Sequence, residues 1–304
     1  MYLSYSGYKT YDSCPRSYWH RYVNKTLVTK PDNRVHMLYG EAVGLIFEEF
    51  YVRKIWREPS PTEALVARVD ETLAGIVKKE TARGGVFDWD EKDARGKPAL
   101  KPGTRSLEEV RGEVIEAIPR GVASIKLHRL LGVKSGAEVK LDTDIKGHRL
   151  AGRADFIIHR VSPDEDKILI DGKGSRWRDK YVDRRQLKWY AMLYQKKFGV
   201  LPDRLGFLYW RSEPEDSLDW VACTPRDIEI MQETVLESVS TIEDGARQLG
   251  RTPGNATLVA TFPVKPGPDC KLCSYLEICD EGADFLQKKV PKLEDTGVGD
   301  VGLG

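Results

Sequence analysis

The sequence predicts an α/β fold with a mixed central sheet, a helical N-terminal elaboration and a cysteine-bearing tail. Three observations predict it. Residues 36–131 are dominated by helical periodicity, and residues 135–225 switch to a strand–strand–strand–helix–strand run. Four of the five cysteines lie near the chain ends, at Cys14 and at Cys270, Cys273 and Cys279. Helices, then a compact stranded core, then one more helix is the pattern of an α/β core with an added helical layer.

The elements follow in order. Residues 1–27 read as a short extended start and then a helix, with Ser13 as its N-cap and Pro15 in its first turn. Residues 36–57 form a helix whose Leu38, Val43, Ile46, Phe47 and Phe50 share one face. A second amphipathic helix covers 61–80, a polar Gly- and Pro-rich loop 83–104, and a further helix 105–131 that Pro119 should break or kink. Strands are predicted at 137–141, at 150–160 after a turn at Gly147-His148, and at 167–171 after a polar turn at 162–166. A helix over 183–198 stops at Gly199. Strands at 205–210 and 218–223 precede a long helix, 225–249, with Thr224 as N-cap.

The bulk numbers exclude more than they select. The chain has 304 residues, 40% apolar and 31% charged, with a formal net charge of +1. Any basic binding surface must therefore be local rather than global. No apolar run approaches the ~20 residues that span a bilayer. The start, Met1 to Gly7, has neither a basic flank nor an apolar stretch of signal-peptide type, so a cytoplasmic location is expected. An odd number of cysteines in a chain of this kind argues against disulfides.

Two segments place carboxylates where they are costly. Asp155 sits inside the apolar strand Ala154 to Ile158, and Asp171 ends the apolar run Ile168 to Ile170. A tight polar turn joins the two segments, so an antiparallel hairpin should bring them together. Two buried carboxylates repel and lose hydration, and a hard divalent cation between them, Mg²⁺ or Mn²⁺, resolves both problems. Lys173 lies two residues beyond Asp171, on the same face of an extended strand. Glu138, on the preceding strand, and Glu48, on the helix over 36–57, are further candidate carboxylates. The cysteines read as C-x2-C-x5-C plus Cys14, and from spacing alone four thiolates suit either a [4Fe–4S] cluster or a structural Zn²⁺.

Gly152-x-x-Asp155, Asp171-Gly172-Lys173 and Gln186-x-x-x-Tyr190 together resemble the motif set of the RecB/Cas4-like branch of the PD-(D/E)XK nuclease superfamily. The resemblance runs from Leu3-Ser4-Tyr5-Ser6 and Cys14-Pro15-Arg16 to Cys279. It implies that Asp155 and Asp171 bind the metal ion, with the Gly172 carbonyl as a further donor, that Lys173 is catalytic, and that Gln186 and Tyr190 support the site from the next helix. It also implies a [4Fe–4S] cluster on Cys14, Cys270, Cys273 and Cys279 that ties the chain ends together, with Zn²⁺ as the alternative. One motif departs from the family. Gly40 and Glu48 match a Gly-x-x-x-His-x-x-x-Glu pattern, but Gly44 stands at the histidine.

On this resemblance, residues 1–290 form a single nuclease domain with a PD-(D/E)XK core over 135–225, and 291–304 form a flexible tail. The expected activity is that of a metal-dependent DNA exonuclease on single-stranded ends, in recombination, repair, phage DNA metabolism or CRISPR adaptation. Its partners would be DNA and a helicase, recombination or CRISPR adaptation protein. Arg176, Arg178, Lys180, Arg184 and Arg185, interleaved with Trp177, Tyr181 and Trp189, suit a single strand through phosphate contacts and stacking. A second aromatic and basic cluster, Arg16 to Arg21, would add to it beside Cys14. The alternatives are a catalytically impaired DNA-end-binding subunit, motivated by Gly44, and a zinc-stabilised interaction protein without activity.

Overall fold

The computed structural model describes residues 1–28, 34–87, 106–132, 134–160, 166–175, 182–249 and 255–289. They group into two compact units, one of Met1–Tyr5 with Pro31–Thr241 and one of Ser6–Lys30 with the chain from Ile242 onward. The sequence reading treats 1–290 as one nuclease domain.

In the first unit, a short strand β1 (Tyr2–Ser4) precedes the helical layer of α3 (Val35–Val52), α4 (Pro61–Val66), α5 (Val69–Ala82) and α6 (Leu107–Leu127). Helices α1 (Tyr5–Ser13) and α2 (Pro15–Tyr18) fall almost wholly in the second unit. The strands are β2 (Lys134–Lys140), β3 (Thr143–Ile145), β4 (His148–Ala151), β5 (Arg153–His159), β6 (Lys167–Lys173), β7 (Arg204–Tyr209) and β8 (Leu218–Val221). Helix α7 (Arg185–Phe198) connects β6 to β7, and α8 (Pro225–Leu249) follows β8.

Among the described residues, five strands form one mixed sheet in the order β2-β5-β6-β7-β8, and three form a small sheet, β1-β4-β3. The pair β5–β6 is antiparallel, as a tight turn requires, while β6–β7 is parallel, as a helical crossover requires. Alternation then assigns the faces. Phe156 and Ile158 of β5 and Ile168 and Ile170 of β6 enter one core with Leu38, Phe47, Phe50, Val114 and Ile118 from the helical layer. Asp155, Asp171 and Lys173 belong to the opposite face.

That core explains the helices. The apolar stripe of α3 is buried, and each such Leu, Ile or Phe stabilises the fold by ~1.5–3 kcal/mol. Phe47 stacks on Trp210 with ring centroids 4.3 Å apart and planes at 2°. Its ring also lies where a Cβ at Gly121 would stand, at 2.3 Å, so α3 and α6 approach this closely only because residue 121 is glycine.

Several expected boundaries move. Helix α6 runs through Pro119 unbroken. A capping box of Ser106 and Glu109 starts it, and its buried stripe from Val110 to Ile125 outweighs the lost hydrogen bond, worth ~3 kcal/mol, at an exposed position. The stretch 61–80 is two helices, parted at Ala67-Arg68. The stretch 150–160 is two strands in different sheets, parted at Gly152, where a Cβ would meet Leu193 at 2.7 Å. Cys14, in extended backbone, caps α2 in place of Ser13. Gly199, at φ +78°, ends α7 as expected, and Thr224 caps α8 through its exchange with Asp227. The polar turn at 162–166 and the loop at 83–104 lie largely outside the described residues.

The second unit collects segments from near both chain ends: α1, α2, a π-helical turn (Trp19–Val23), α9 (Asn255–Thr261), two 3₁₀ turns (Pro268–Leu272 and Leu276–Ile278) and α10 (Asp280–Lys289). Arg16, buried, donates through Nε to the Phe262 carbonyl at 2.9 Å, and Tyr18 is buried against Tyr11. Arg16 is therefore internal structure, not DNA-facing surface as the sequence suggests. No helix among the described residues is long and apolar enough to cross a membrane.

Candidate active site

Asp155 and Asp171 stand on adjacent antiparallel strands, and extending the Ile157↔Leu169 register places them opposite one another. The Gly172 N–H donates to Asp155 Oδ2 at 2.8 Å, and Lys173 Nζ lies 2.5 Å from Asp171 Oδ2. Lys173 also donates to Gln186 Oε1 at 2.8 Å, and Gln186 Nε2 donates to the Tyr190 hydroxyl at 3.0 Å. Positions 186 and 190 are one helical turn apart on α7, so one face presents both. The structure thus brings Asp155, Asp171, Lys173, Gln186 and Tyr190 into one connected group.

The electrostatics are those of crowded buried acids. Burial lifts the Asp155 carboxyl well above the ordinary range, and the Asp171 charge adds to that, against the Gly172 N–H and the Lys173 ammonium. Burial also raises Asp171, with Lys173 opposing. The Tyr190 hydroxyl is raised by burial and then by Asp171. Metal-free, burial makes the two carboxylate charges costly; a cation would offset that cost.

Glu138 lies across from Asp155 in the β2–β5 register, which pairs Ala137 with Phe156 and Val139 with Ala154 and skips the residue between. It holds φ +52°, the left-handed region, which costs a non-glycine residue ~1–2 kcal/mol. Its carboxylate is 2.9 Å from Arg153 Nη1. Glu48 on α3 is half-buried, and its carboxyl is raised by burial and then by Glu138. Sequence reasoning missed Arg153, although its position two residues before Asp155 signals it. A Cβ at Gly44 would meet nothing within 4 Å, so the histidine position is open space. Among the described residues no group of three or more His, Cys, Asp or Glu side chains is gathered to hold a metal ion. The close carboxylates are the pair Asp155 and Asp171.

The expected DNA-binding residues fare unevenly. Arg176, Arg178 and Lys180, with Trp177 and Tyr181, lie outside the described residues. Arg184 reaches Asp219 at 3.3 Å, and Arg185 pairs with Asp183 at 3.0 Å, both from exposed positions. Trp189 is fully buried, meets Tyr5 edge-on at 5.9 Å and donates to the Ala151 carbonyl. It is core, because the turn of α7 that presents Gln186 and Tyr190 turns position 189 inward.

In the second unit, Cys14, Cys270, Cys273 and Cys279 are free thiols, each partly buried. The Gly267 N–H donates to Cys270 Sγ at 3.3 Å. Burial raises the Cys279 thiol, a Gly282 backbone N–H lowers it, and Glu281, Cys14 and Cys273 raise it further. A Cβ at Gly282 would stand 3.3 Å from Cys279 Sγ and 3.6 Å from Cys270 Sγ, so a side chain there would crowd both sulfurs. Cys223, in the first unit, is half-buried, its thiol pushed up to about 11 by burial.

A family model described as the PD-(D/E)XK nuclease superfamily matches residues 2–280. No curated protein matches the chain. Among solved structures, one described as a "putative exonuclease" from Eubacterium rectale is 14% identical, with a TM-score of 0.46, over 89% of this chain and 92% of its own. Another, SSO0001, is 18% identical, with a TM-score of 0.31, over 58% of this chain and 78% of its own. Both likenesses are distant.

Proposed function

The chain belongs to the PD-(D/E)XK nuclease superfamily, and from that premise we propose that it hydrolyses phosphodiester bonds of DNA, acting as an exonuclease on single-stranded ends. The observation that carries this reading is the joining of Asp155, Asp171 and Lys173 by contacts of 2.8 Å or less through Gly172 and Lys173 itself.

Members of the superfamily typically use divalent metals, and the donor set here fits one: two buried carboxylates whose charges burial makes costly. Asp155 and Asp171 would hold Mg²⁺ or Mn²⁺, with Glu48 and Glu138 as outer carboxylates. When bound, the metal would supply charge neutralisation at the phosphate and an acidified water. The remaining work falls to side chains. Lys173, held by Asp171 and Gln186, keeps its ammonium aimed at the reacting phosphate, where it stabilises the charge that builds on the oxygens. Gln186 positions Lys173, and Tyr190 fixes Gln186. Arg184 and Arg185, exposed on the first turn of α7, are placed to meet the strand's backbone.

We assign the four cysteines of the second unit to a [4Fe–4S] cluster. The support is donor chemistry: Cys14 and Cys273 lie near enough to Cys279 to raise its thiol, and a set of thiols suits a [4Fe–4S] cluster, with Zn²⁺ as the alternative. The readings are separated by anaerobic purification with iron and zinc analysis, then digestion of 5′- and 3′-labelled single strands with Mn²⁺. Iron, together with digestion that Lys173→Ala abolishes, is the expected result. Iron with no digestion in any metal would sink the enzyme reading and leave a DNA-end-binding subunit, the outcome that Gly44 favours, and zinc with no digestion would leave a zinc-stabilised interaction protein.

A further inference from the structure

Beyond Lys173 the chain enters a second, separate cleft of about 340 Å³, lined by Tyr39, Glu113, Glu116, Arg120, Ser175, Arg211 and Ser212. Its central feature is Arg211. The guanidinium lies 3.5 Å from the centroid of the Tyr39 ring, Nε donates to the Gly174 carbonyl at 2.9 Å, and Nη2 donates to Glu113 at 2.7 Å. Three partners on three segments fix this plane. The Gly174 backbone is pressed against α3, where a Cβ would meet the Gly40 Cα at 2.8 Å and the Tyr39 ring at 3.2 Å. The floor of the cleft is thus rigid and is tied to the strand that carries Asp171 and Lys173.

The charge balance argues against an anion here. Glu113 is consumed by Arg211, and Arg120 leans 3.4 Å toward Glu213. Glu116, exposed on the wall, makes no ion pair among the described residues. A flat cationic plane stacked on one side by an aromatic ring, with a carboxylate outside any ion pair among the described residues and two serines around it, suits a nucleobase: guanidinium planes stack on bases, and carboxylates accept from base N–H groups. Among the bases, guanine offers two adjacent N–H donors that match both oxygens of one carboxylate.

We infer that this cleft is a base-binding subsite that takes a guanine of the bound strand, by stacking on Arg211 and pairing with Glu116. The inference rests on the nuclease reading for its substrate and adds a base preference to it.

The test uses labelled oligothymidylate strands carrying one guanine, inosine or adenine, the full-length protein and Mn²⁺. Cleavage of the guanine strand is expected to be about tenfold faster than of the all-thymine strand. Inosine, which lacks the exocyclic amino group, falls between. Glu116→Gln brings the ratio close to one, and Arg211→Lys, which keeps the charge and loses the plane, lowers it. Equal rates on all strands, or a guanine preference that survives in Glu116→Gln, overturn the subsite while leaving the nuclease reading intact. Strands that are not cut are read by fluorescence anisotropy. Tighter binding of the guanine strand, lost in Glu116→Gln, then supports the subsite and sinks the nuclease reading; equal binding sinks both.

Discussion

The two candidate centres hold their donors in opposite ways. In the first unit, Asp155 and Asp171 are buried in a sheet, and every neighbour is fixed by a ladder or a hydrogen bond: Gly172 to Asp155, Lys173 to Asp171, Gln186 to Lys173. In the second unit, the cysteines sit on 3₁₀ turns and at a helix cap, partly exposed, in contact with backbone N–H groups. The carboxylate site is stored electrostatic stress inside a frame that folds without help. The thiol site is a set of soft ligands whose surroundings are short turns. Metal should therefore tune the first and build the second.

Four substitutions break or sharpen that contrast. Lys173→Ala should have the largest effect, lowering digestion of a labelled single strand by ~10²–10³-fold with the melting temperature little changed. Cys273→Ser should instead unfold the second unit, bleaching the visible absorption of the anaerobic protein and lowering its melting temperature by ~10 °C. If calorimetry shows no change, the thiols carry no structural metal. Gln186→Ala, which frees Lys173 to swing, should slow turnover by ~10-fold without altering metal content.

The smallest effect has the most telling sign. Asp155 and Asp171 are raised in the fold, so their contribution to stability is full at low pH and is lost as pH rises through the raised values. Asp155→Asn should thus stabilise the metal-free protein by ~1 kcal/mol at about pH 8, and the gain should vanish near pH 4. It should also abolish digestion. A variant less stable than the parent at high pH would show that the pair is not under stress.

What was legible in the sequence depended on how local the cause was. The hairpin of β5 and β6 was readable because its apolar runs and polar turn lie within twenty or so residues, and Gly199 and Thr224 announce their caps by chemistry alone. Pro119 misled because the partners that hold α6 together come from α3, far away in the chain. The split at Gly152 was hidden because what requires the glycine is Leu193 on α7. Trp189 and Arg16 look like nucleic-acid contacts in a basic, aromatic stretch. Only the packing reveals that one is core and the other is bonded to Phe262. Asp155, Asp171 and Lys173 were legible because a buried charge in an apolar strand needs a reason, whereas Arg153 and Arg211 look like ordinary surface arginines.

The left-handed kink at Glu138 has a consequence away from chemistry. Strand β2 is one of the two outer strands of the five-stranded sheet among the described residues, and a straight outer strand invites a neighbouring molecule to dock along it. With residue 138 twisted out of register, the free rim offers no continuous row of donors and acceptors. The same residue that faces the acidic pair thereby helps keep copies of the chain from zipping together.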